Sequence, residues 1–384
     1  MLRFITSGES HGPGLVATLE GLPAGLSVTR DGIAAELARR RLGFGRGPRM
    51  RLEKDELEIL GGVRFGKTLG GPVTVLIRNT EWPAWSEEMS PEPGTTQKAE
   101  TSPRPGHADL VGMMKYDTHD ARDILERASA RETAARTIIG YLSKQLLAAL
   151  DISVFSHVTA IGHIEVPADH PLPLPEDLDA IDASEVRVFG RTMETAMIEE
   201  IERAKADRDT LGGAVQVLAY GLPPGIGSHV HWDRKLDGLL TGAVMSIQAI
   251  KAVEIGRGLA QSRSRGSEAH DAIIHTPDGY ARRTNRAGGL EGGMTTGDVL
   301  TVSAYMKPIS TLMRPLDTVD VTTKAEAKAF RERSDVCAVP AAGVVAEAMV
   351  AYVLASEATR TFGGDTVGAF VEAYEAYTAR IAAF

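Results

Sequence analysis

Five short polar islands carry the residue types that handle anions and protons: TSGESHG at 6–12, RRRLGFGRGPRM at 39–50, SPRPGHAD at 102–109, ERASARET at 126–133 and ERSDVC at 332–337. Each joins Arg, His, Ser or Asp to Gly, Pro or Ala, residues that let backbone approach a ligand closely. A guanidinium group is a planar fork that binds carboxylate or phosphate through two bonds, so Arg islands point to a small anionic ligand. Arg46 and Arg49 lie beyond a predicted helix, in a Gly and Pro loop that can aim both inward. Arg39 and Arg41, at the helix end, serve equally well to complement the helix dipole. Arg127 and Arg131 are four apart and are predicted to share one helical face, where pairing with Glu126 or Glu132 is the alternative role. His11 and His107 sit in Gly-flanked loops and not in apolar stripes. An imidazole titrates at about 6.5, and a phosphate bound beside one favours the cation and makes it a proton donor. Ser10 beside His11, and Asp335 beside Arg333, supply a proton-accepting relay. These residues alone describe an enzyme acting on a small polyanion.

The overall composition excludes several other classes. The chain of 384 residues carries 42 Lys and Arg against 51 Asp and Glu, a net charge of −9, which argues against a general nucleic-acid binder. Of the 42 cations 31 are Arg, and their clustering is the informative part. With 43% hydrophobic and 24% charged residues the chain is neither disordered nor fibrous. A lone cysteine, Cys337, forms no internal disulfide, and Met1-Leu2-Arg3-Phe4 lacks the apolar stretch of a signal peptide, so a cytoplasmic location is expected. No run of about 18 apolar residues occurs, and no membrane partner is expected.

The elements that must hold these islands read as α+β. Asp31 is predicted to cap a helix carrying Ile33, Leu37 and Leu42 that ends at Gly43. Residues 120–150 give the longest helical stripe, from Ile124 and Leu125 to Leu146 and Leu147. A third helix is predicted from Asp233 to Val253, and a fourth starts at Pro340 and runs through Val344, Met349 and Leu354. Strands are predicted at 14–20, 57–65, 72–78, 213–220 and 298–306. The segment Gly14–Leu19, GLPAG at 21–25 and the following helix parallel Gly213–Leu218, GLPPG at 221–225 and a helix after Asp233, which raises the expectation of an internal duplication. The Pro-rich stretches 81–106 and 166–185 read as loops, the first as a lid leading into Arg104 and His107. A single domain over 1–384 is expected.

Three motif matches fail on context. GGVRFGKT at 61–68 has the letters of a phosphate loop, but Leu69-Gly70-Gly71-Pro72 forbids the helix such a loop needs, so a β-hairpin is predicted. GESHG at 8–12 satisfies GxSxG, yet the few preceding residues supply neither the strand nor the oxyanion loop of a nucleophile elbow. No GxGxxG fingerprint occurs. His229 and His231 are accompanied by no zinc spacing and are read as surface residues; no metal is expected.

The islands, taken in order over essentially the whole chain, resemble the chorismate synthase family: GESHGPG, RRxxGxGRGxRM, RPGHAD, YxxxDxRxxxERASARET, GLPPGIGSHV, NRAGGLEGGMTTG, KPISTL and RSDVCAVPA. The resemblance implies a β-α-β sandwich of helices between antiparallel sheets, assembled as a homotetramer. It implies anti 1,4-elimination of phosphate from 5-enolpyruvylshikimate 3-phosphate to give chorismate, in the shikimate pathway, with reduced FMN required and no net redox change. Arg40, Arg46, Arg49, Arg104, Arg131 and Arg333 match the family's anion-binding positions. His11 matches its acid toward the leaving phosphate, His107 the histidine that steadies reduced flavin, and Asp335 with Ser10 the pair that takes the ring proton. FMN is implied to contact Arg127-Ala128-Ser129, Gln248-Ala249, Gly292, the run Lys307-Pro308-Ile309-Ser310-Thr311, and Arg333. NADPH is the candidate reductant, and dependence on a separate flavin reductase is expected. RSDVC, with Ser334 and Val336, departs from the RHDPC form found in part of the family, which bears on local loop shape; Cys337 is read as a packed residue. The competing readings are an FMN-dependent NADPH reductase or flavin-binding redox protein, and a non-catalytic polyanion-binding module.

Overall fold

The computed structural model describes residues 1–46, 56–96, 98–277, 279–332 and 334–384; Arg49 and Arg333 lie outside the described residues. The first half runs β1 (Arg3–Ser7), β2 (Gly14–Glu20), α1 (Arg30–Arg41), β3 (Glu56–Gly61), a small hairpin of β4 (Val63–Arg64) and β5 (Lys67–Thr68), and β6 (Val73–Arg78). Helices α2 (Asp109–Tyr116), α3 (Arg122–Ala128) and α4 (Thr133–Ala148) follow. The second half runs β7 (Ser153–Ile161), β8 (Ile164–Glu165), α5 (Arg191–Ala206), β9 (Gly213–Tyr220), α6 (Leu236–Met245) and β10 (Ile250–Ile255). It continues with hairpins β11 (Ile273–Thr276) to β12 (Gly279–Arg282) and β13 (Leu290–Glu291) to β14 (Met294–Thr295), then β15 (Leu300–Met306), α7 (Val339–Phe362) and α8 (Val367–Ala382).

Two antiparallel sheets form, ordered β1-β2-β6-β3 and β10-β15-β9-β7-β8. Period-two alternation turns Val73, Val75 and Ile77 of β6 inward, each fully buried, as expected for a sheet with one covered face. The central helices α4 and α7 lie between the sheets: α4 packs on β2, α7 on β7 and β9, and the two on each other. They meet tightly at Gly140, where an added Cβ would sit 2.2 Å from Ala348 Cβ. One apolar core runs through both sheets and both helices and includes Ile138, Ile139, Leu142, Met349, Val350 and Leu354. The fold is the expected α+β sandwich. Helix α7 has the length and hydropathy to cross a membrane, but 89% of its apolar window is buried in this core.

The two sheets can be laid strand against strand. With β1, β2, β6 and β3 set against β7, β9, β15 and β10, the strand orders coincide. Thr68 and Thr295 then occupy equivalent places: each hydroxyl donates to a proline carbonyl, Pro23 or Pro223, at 2.6 Å, and accepts from Leu26 or Ile226 N–H at 2.9 Å. Gly62 and Gly289, at φ 83° and 79°, open the equivalent hairpins, and a side chain at either would strike the carbonyl of Pro72 or Val299. GGVRFGKT is thus the β4–β5 hairpin and not a phosphate loop.

Several local expectations are corrected. Thr29, not Asp31, caps α1, its hydroxyl accepting from Gly32 N–H at 3.0 Å. The 120–150 helix breaks at Ser129, whose ψ of 140° is extended and whose hydroxyl accepts from Arg131 N–H, so a 3-10 turn precedes α4. Arg127 and Arg131 therefore do not share a helical face. The helix predicted over 233–253 ends at Met245, because β-branched Ile250, Val253 and Ile255 pair with β15 as β10. Residues 57–65 divide into β3 and β4 around Gly62. Within 166–185, residues 178–183 form a helix that buries Ile181.

Candidate functional site

A cavity of about 510 Å³ opens where the N-termini of α4 and α7 come together. Both halves build it. The β1–β2 loop supplies Ser10, and the end of α1 and its loop supply Arg40 and Arg46; Ser129, Ala130, Arg131 and Thr133 come from the start of α4. From the second half come Gln248 and Ala249 after α6, Lys307 and Ile309–Thr311 after β15, and Ser334, Asp335 and Ala338 before α7. Arg104 and His107 enter from the segment before α2. Two helix N-termini direct the positive ends of their dipoles at this space, which suits an anion before any side chain is counted.

Buried guanidinium groups add to that field. Arg40 Nε donates to the Thr133 hydroxyl at 2.9 Å and Nη2 to the Ala130 carbonyl at 3.0 Å, locking the last turn of α1 to the first turn of α4. Arg46 Nη1 lies 2.8 Å from Asp335 Oδ2. Arg131 Nη2 donates to Asn79 Oδ1 at 3.4 Å. Arg104 Nη1 donates to Thr311 Oγ1 at 3.0 Å while its guanidinium sits 4.5 Å from the centre of the Phe330 ring. Lys307 Nζ donates to the Gly106 carbonyl at 2.6 Å, and burial with the neighbouring Lys251 charge pushes its ammonium below the usual lysine range.

Two carboxylates that the sequence reading did not single out stand behind the histidines. Asp109, wholly buried in the first turn of α2, accepts from Arg104 Nε at 2.8 Å and from His107 Nδ1. Burial alone would raise its carboxyl, but the hydrogen bonds from His107 and Arg104 outweigh it and hold it down to about 2. Glu126, buried on α3, accepts from His11 Nδ1 at 2.8 Å and from His11 N–H at 2.7 Å. Burial raises this carboxyl as well, and the His11 hydrogen bonds with the Arg122 charge bring it below the usual range. The spacing in GHAD signals an acid beside His107, whereas nothing in the sequence pairs position 11 with position 126. The expected lid contributes Trp85, whose indole lies against the His11 ring at a tilt of 31° with centroids 4.2 Å apart.

Of the residues expected at the site, Ser10, Arg40, Arg46, Arg104, His107, Ala128, Ser129, Arg131, Gln248, Ala249, Lys307, Ile309, Ser310, Thr311 and Asp335 line this one cavity. His11, Arg127, Gly292 and Pro308 do not. Arg127 is exposed and donates to the Thr6 and Gly8 carbonyls, and Gly292 is the exposed turn of the β13–β14 hairpin. Cys337 is fully buried and burial pushes its thiol up to about 12, so it is no nucleophile. His229 and His231 lie in a surface loop, where His231 pairs with Asp233.

The cavity chemistry fits a flavin mononucleotide. Ile247, Ala338, Ala341, Ala342 and Val345 form an apolar wall for a flat ring. Gln248 Nε2 donates to Glu132, while its buried Oε1 has no partner among the described residues and is placed to accept from a ring N–H. Arg and Lys side chains supply the partners for phosphate.

The family model for chorismate synthase matches residues 2–359. Curated chorismate synthases from Thermobifida fusca and Salinispora tropica are 58% and 60% identical, over 98% and 96% of this chain and the same shares of theirs. A crystal structure of chorismate synthase superposes with a TM-score of 0.81 at 39% identity, covering 100% of this chain and 99% of that one. With matches of this extent in sequence and in fold, the chain belongs to the chorismate synthase family of carbon–oxygen lyases.

Proposed function

We propose that the cavity performs anti 1,4-elimination on 5-enolpyruvylshikimate 3-phosphate, yielding chorismate and phosphate, with reduced FMN held alongside the substrate. The observation that carries this reading is the convergence of Arg40, Arg46, Arg104, Arg131 and Lys307 with His107, Ser10 and Asp335 on one space at two helix N-termini. A substrate with one phosphate and two carboxylates needs several such partners, each charge-assisted bond being worth about 1.5 to 3 kcal/mol. Arg49 and Arg333 are assigned to the same anion-binding set.

The reaction removes one proton from ring C6 and breaks the C3–O bond, the ring gaining a double bond and phosphate leaving with the electron pair. Reduced FMN, when bound, supplies electron density that eases this departure. Asp335, with Ser10 nearby on the cavity wall, receives the ring proton. His11 follows Ser10 directly and donates toward the leaving phosphate through Nε2, since Nδ1 is committed to Glu126. His107 would steady the reduced flavin. Ala128, Ser129, Gln248, Ala249 and residues 307–311 would hold the cofactor, with Arg127 and Gly292 assigned to the same set. A single domain, a homotetramer, a cytoplasmic location and flavin reduction by a separate reductase complete the reading.

Anaerobic protein mixed with chemically reduced FMN and the enolpyruvyl substrate should release phosphate and chorismate in equal amounts, and neither protein nor flavin alone should do so. Absence of turnover with both present sinks the proposal, and stoichiometric consumption of NADPH by the protein itself would favour a reductase instead.

A further inference from the structure

The two histidines are held by the same device. Glu126 Oε1 lies 2.8 Å from His11 Nδ1 and accepts from Arg122 Nη1 at 2.9 Å, while Oε2 accepts from the His11 backbone. The Glu126 carbonyl accepts from Ser10 N–H at 3.1 Å, which fixes the loop that carries His11. Trp85 closes the group, its indole lying against the His11 ring on one hand and 4.7 Å from the Arg122 guanidinium on the other. Asp109 repeats the arrangement: Oδ1 takes His107 Nδ1 and Arg104 Nη2, and Oδ2 takes Arg104 Nε and Arg104 N–H; Arg104 Nη2 also lies 3.1 Å from His107 Nδ1 and 3.5 Å from its Nε2, so the Arg104 fork lies against the ring as well as the acid.

An ionised carboxylate only accepts, so Nδ1 carries the hydrogen in both pairs and Nε2 is left as the one nitrogen able to exchange a proton. The guanidinium on each carboxylate matters too. Arg122 Nη1 donates to Glu126 and Arg104 Nε to Asp109, so each acid that orients a ring has a cation beside it, although Arg122 also reaches Glu332 at 3.4 Å and Glu100 at 3.7 Å. We propose that Glu126 and Asp109 are positioning residues that fix the Nδ1–H tautomer of His11 and His107 and thereby select Nε2 as the proton-exchanging atom of each. This rests on the proton roles assigned to the two histidines above.

The tautomers can be read without turnover. Magic-angle-spinning nitrogen NMR of protein with isotope-labelled histidine, free of flavin and substrate, should show His11 and His107 as Nδ1–H, with assignments from His11→Ala and His107→Ala. Glu126→Gln should disturb only the His11 signal and Asp109→Asn only that of His107. Wild-type rings found as Nε2–H overturn the proposal even if no variant folds. In turnover, Glu126→Gln should lower kcat about 10- to 100-fold with KM changed less than about threefold. It should cost nothing further in a His11→Ala background, since a residue acting through His11 has nothing left to position. Losses that multiply in the double variant would mark Glu126 as merely structural. A fully active His11→Ala would instead overturn the catalytic reading of His11, while the tautomer result would still decide whether Glu126 sets the ring.

Discussion

Arg46 and Asp335 form an ion pair inside the cavity, Nη1 to Oδ2 at 2.8 Å, joining the loop after α1 to the segment before α7. The cation proposed to bind the anion and the carboxylate proposed to take the proton therefore share one contact across the two halves of the sandwich. Asp335→Asn keeps the shape and removes the base, so kcat should fall about a hundredfold or more with a smaller change in substrate affinity. Arg46→Ala should chiefly raise KM. Steady-state kinetics with reduced FMN checks both, and equal loss of rate and affinity at Asp335 would reassign it to binding.

Arg40 spends two of its donors on Thr133 and Ala130 and is buried, so its fork is held rigidly at the cavity wall. Lysine keeps the charge but cannot bridge two partners and still face a ligand. Arg40→Lys should raise the substrate dissociation constant roughly 10- to 100-fold, the loss of one charge-assisted bond. Calorimetric titration of substrate against variant and parent tests this, and unchanged affinity would remove Arg40 from the anion site.

Behind Arg40, Arg39 points the opposite way into a buried ionic cluster. Glu347, fully buried on α7, accepts from Arg39 Nη1 at 2.6 Å, Lys144 Nζ at 2.5 Å and the Ser156 hydroxyl at 3.0 Å. Burial would raise this carboxyl, and the Arg39 and Lys144 charges instead hold it well below the carboxylate range. Glu347→Ala leaves Arg39, Lys144 and Arg187 with only Glu36 and Asp182 as counter-charges, one carboxylate short, and should destabilise the protein by about 3 to 5 kcal/mol. A shift of less than 1 kcal/mol in urea unfolding would contradict this.

Acid lability follows from the same carboxylates. The folded Asp109 carboxyl lies at about 2, below its unfolded value of about 4, so its contribution is present above pH 4 and is lost as pH falls toward 2. For Asp109 the loss is about 2 kcal/mol, and Glu347 acts in the same direction. Unfolding midpoints measured from pH 6 to pH 2.5 should drop, and Asp109→Asn should flatten that slope. A parent protein whose stability rises on acidification would refute the assignment.

Cys337 offers a chemical check. With its thiol buried and pushed up to about 12, native protein should resist iodoacetamide at neutral pH and keep its activity, while unfolded protein should take up one equivalent. Rapid labelling of the native form with loss of activity would place Cys337 at the chemistry.

Strands β2, β6 and β9 and the helix beginning near Pro340 were legible because alternation and the apolar stripe are written within a few residues. Ser129 shows where that fails: its neighbours all favour helix, and only the cap bond to Arg131 and the turn into the cavity reveal the break. Residues 246–255 fail for a related reason, since β15 decides that Ile250–Ile255 is a strand.

By itself the sequence determined the anionic chemistry, the family and the residue islands, because side-chain type and short-range spacing are local properties. Which arginines line the cavity was decided only by the tertiary structure. His11 meets Glu126 across 115 residues, Arg40 meets Thr133 across 93, and Arg39 meets Glu347 across 308. Such contacts exist only once the core between the sheets has brought α1, α4 and α7 together, and burial then makes each pair strong enough to set charge and tautomer.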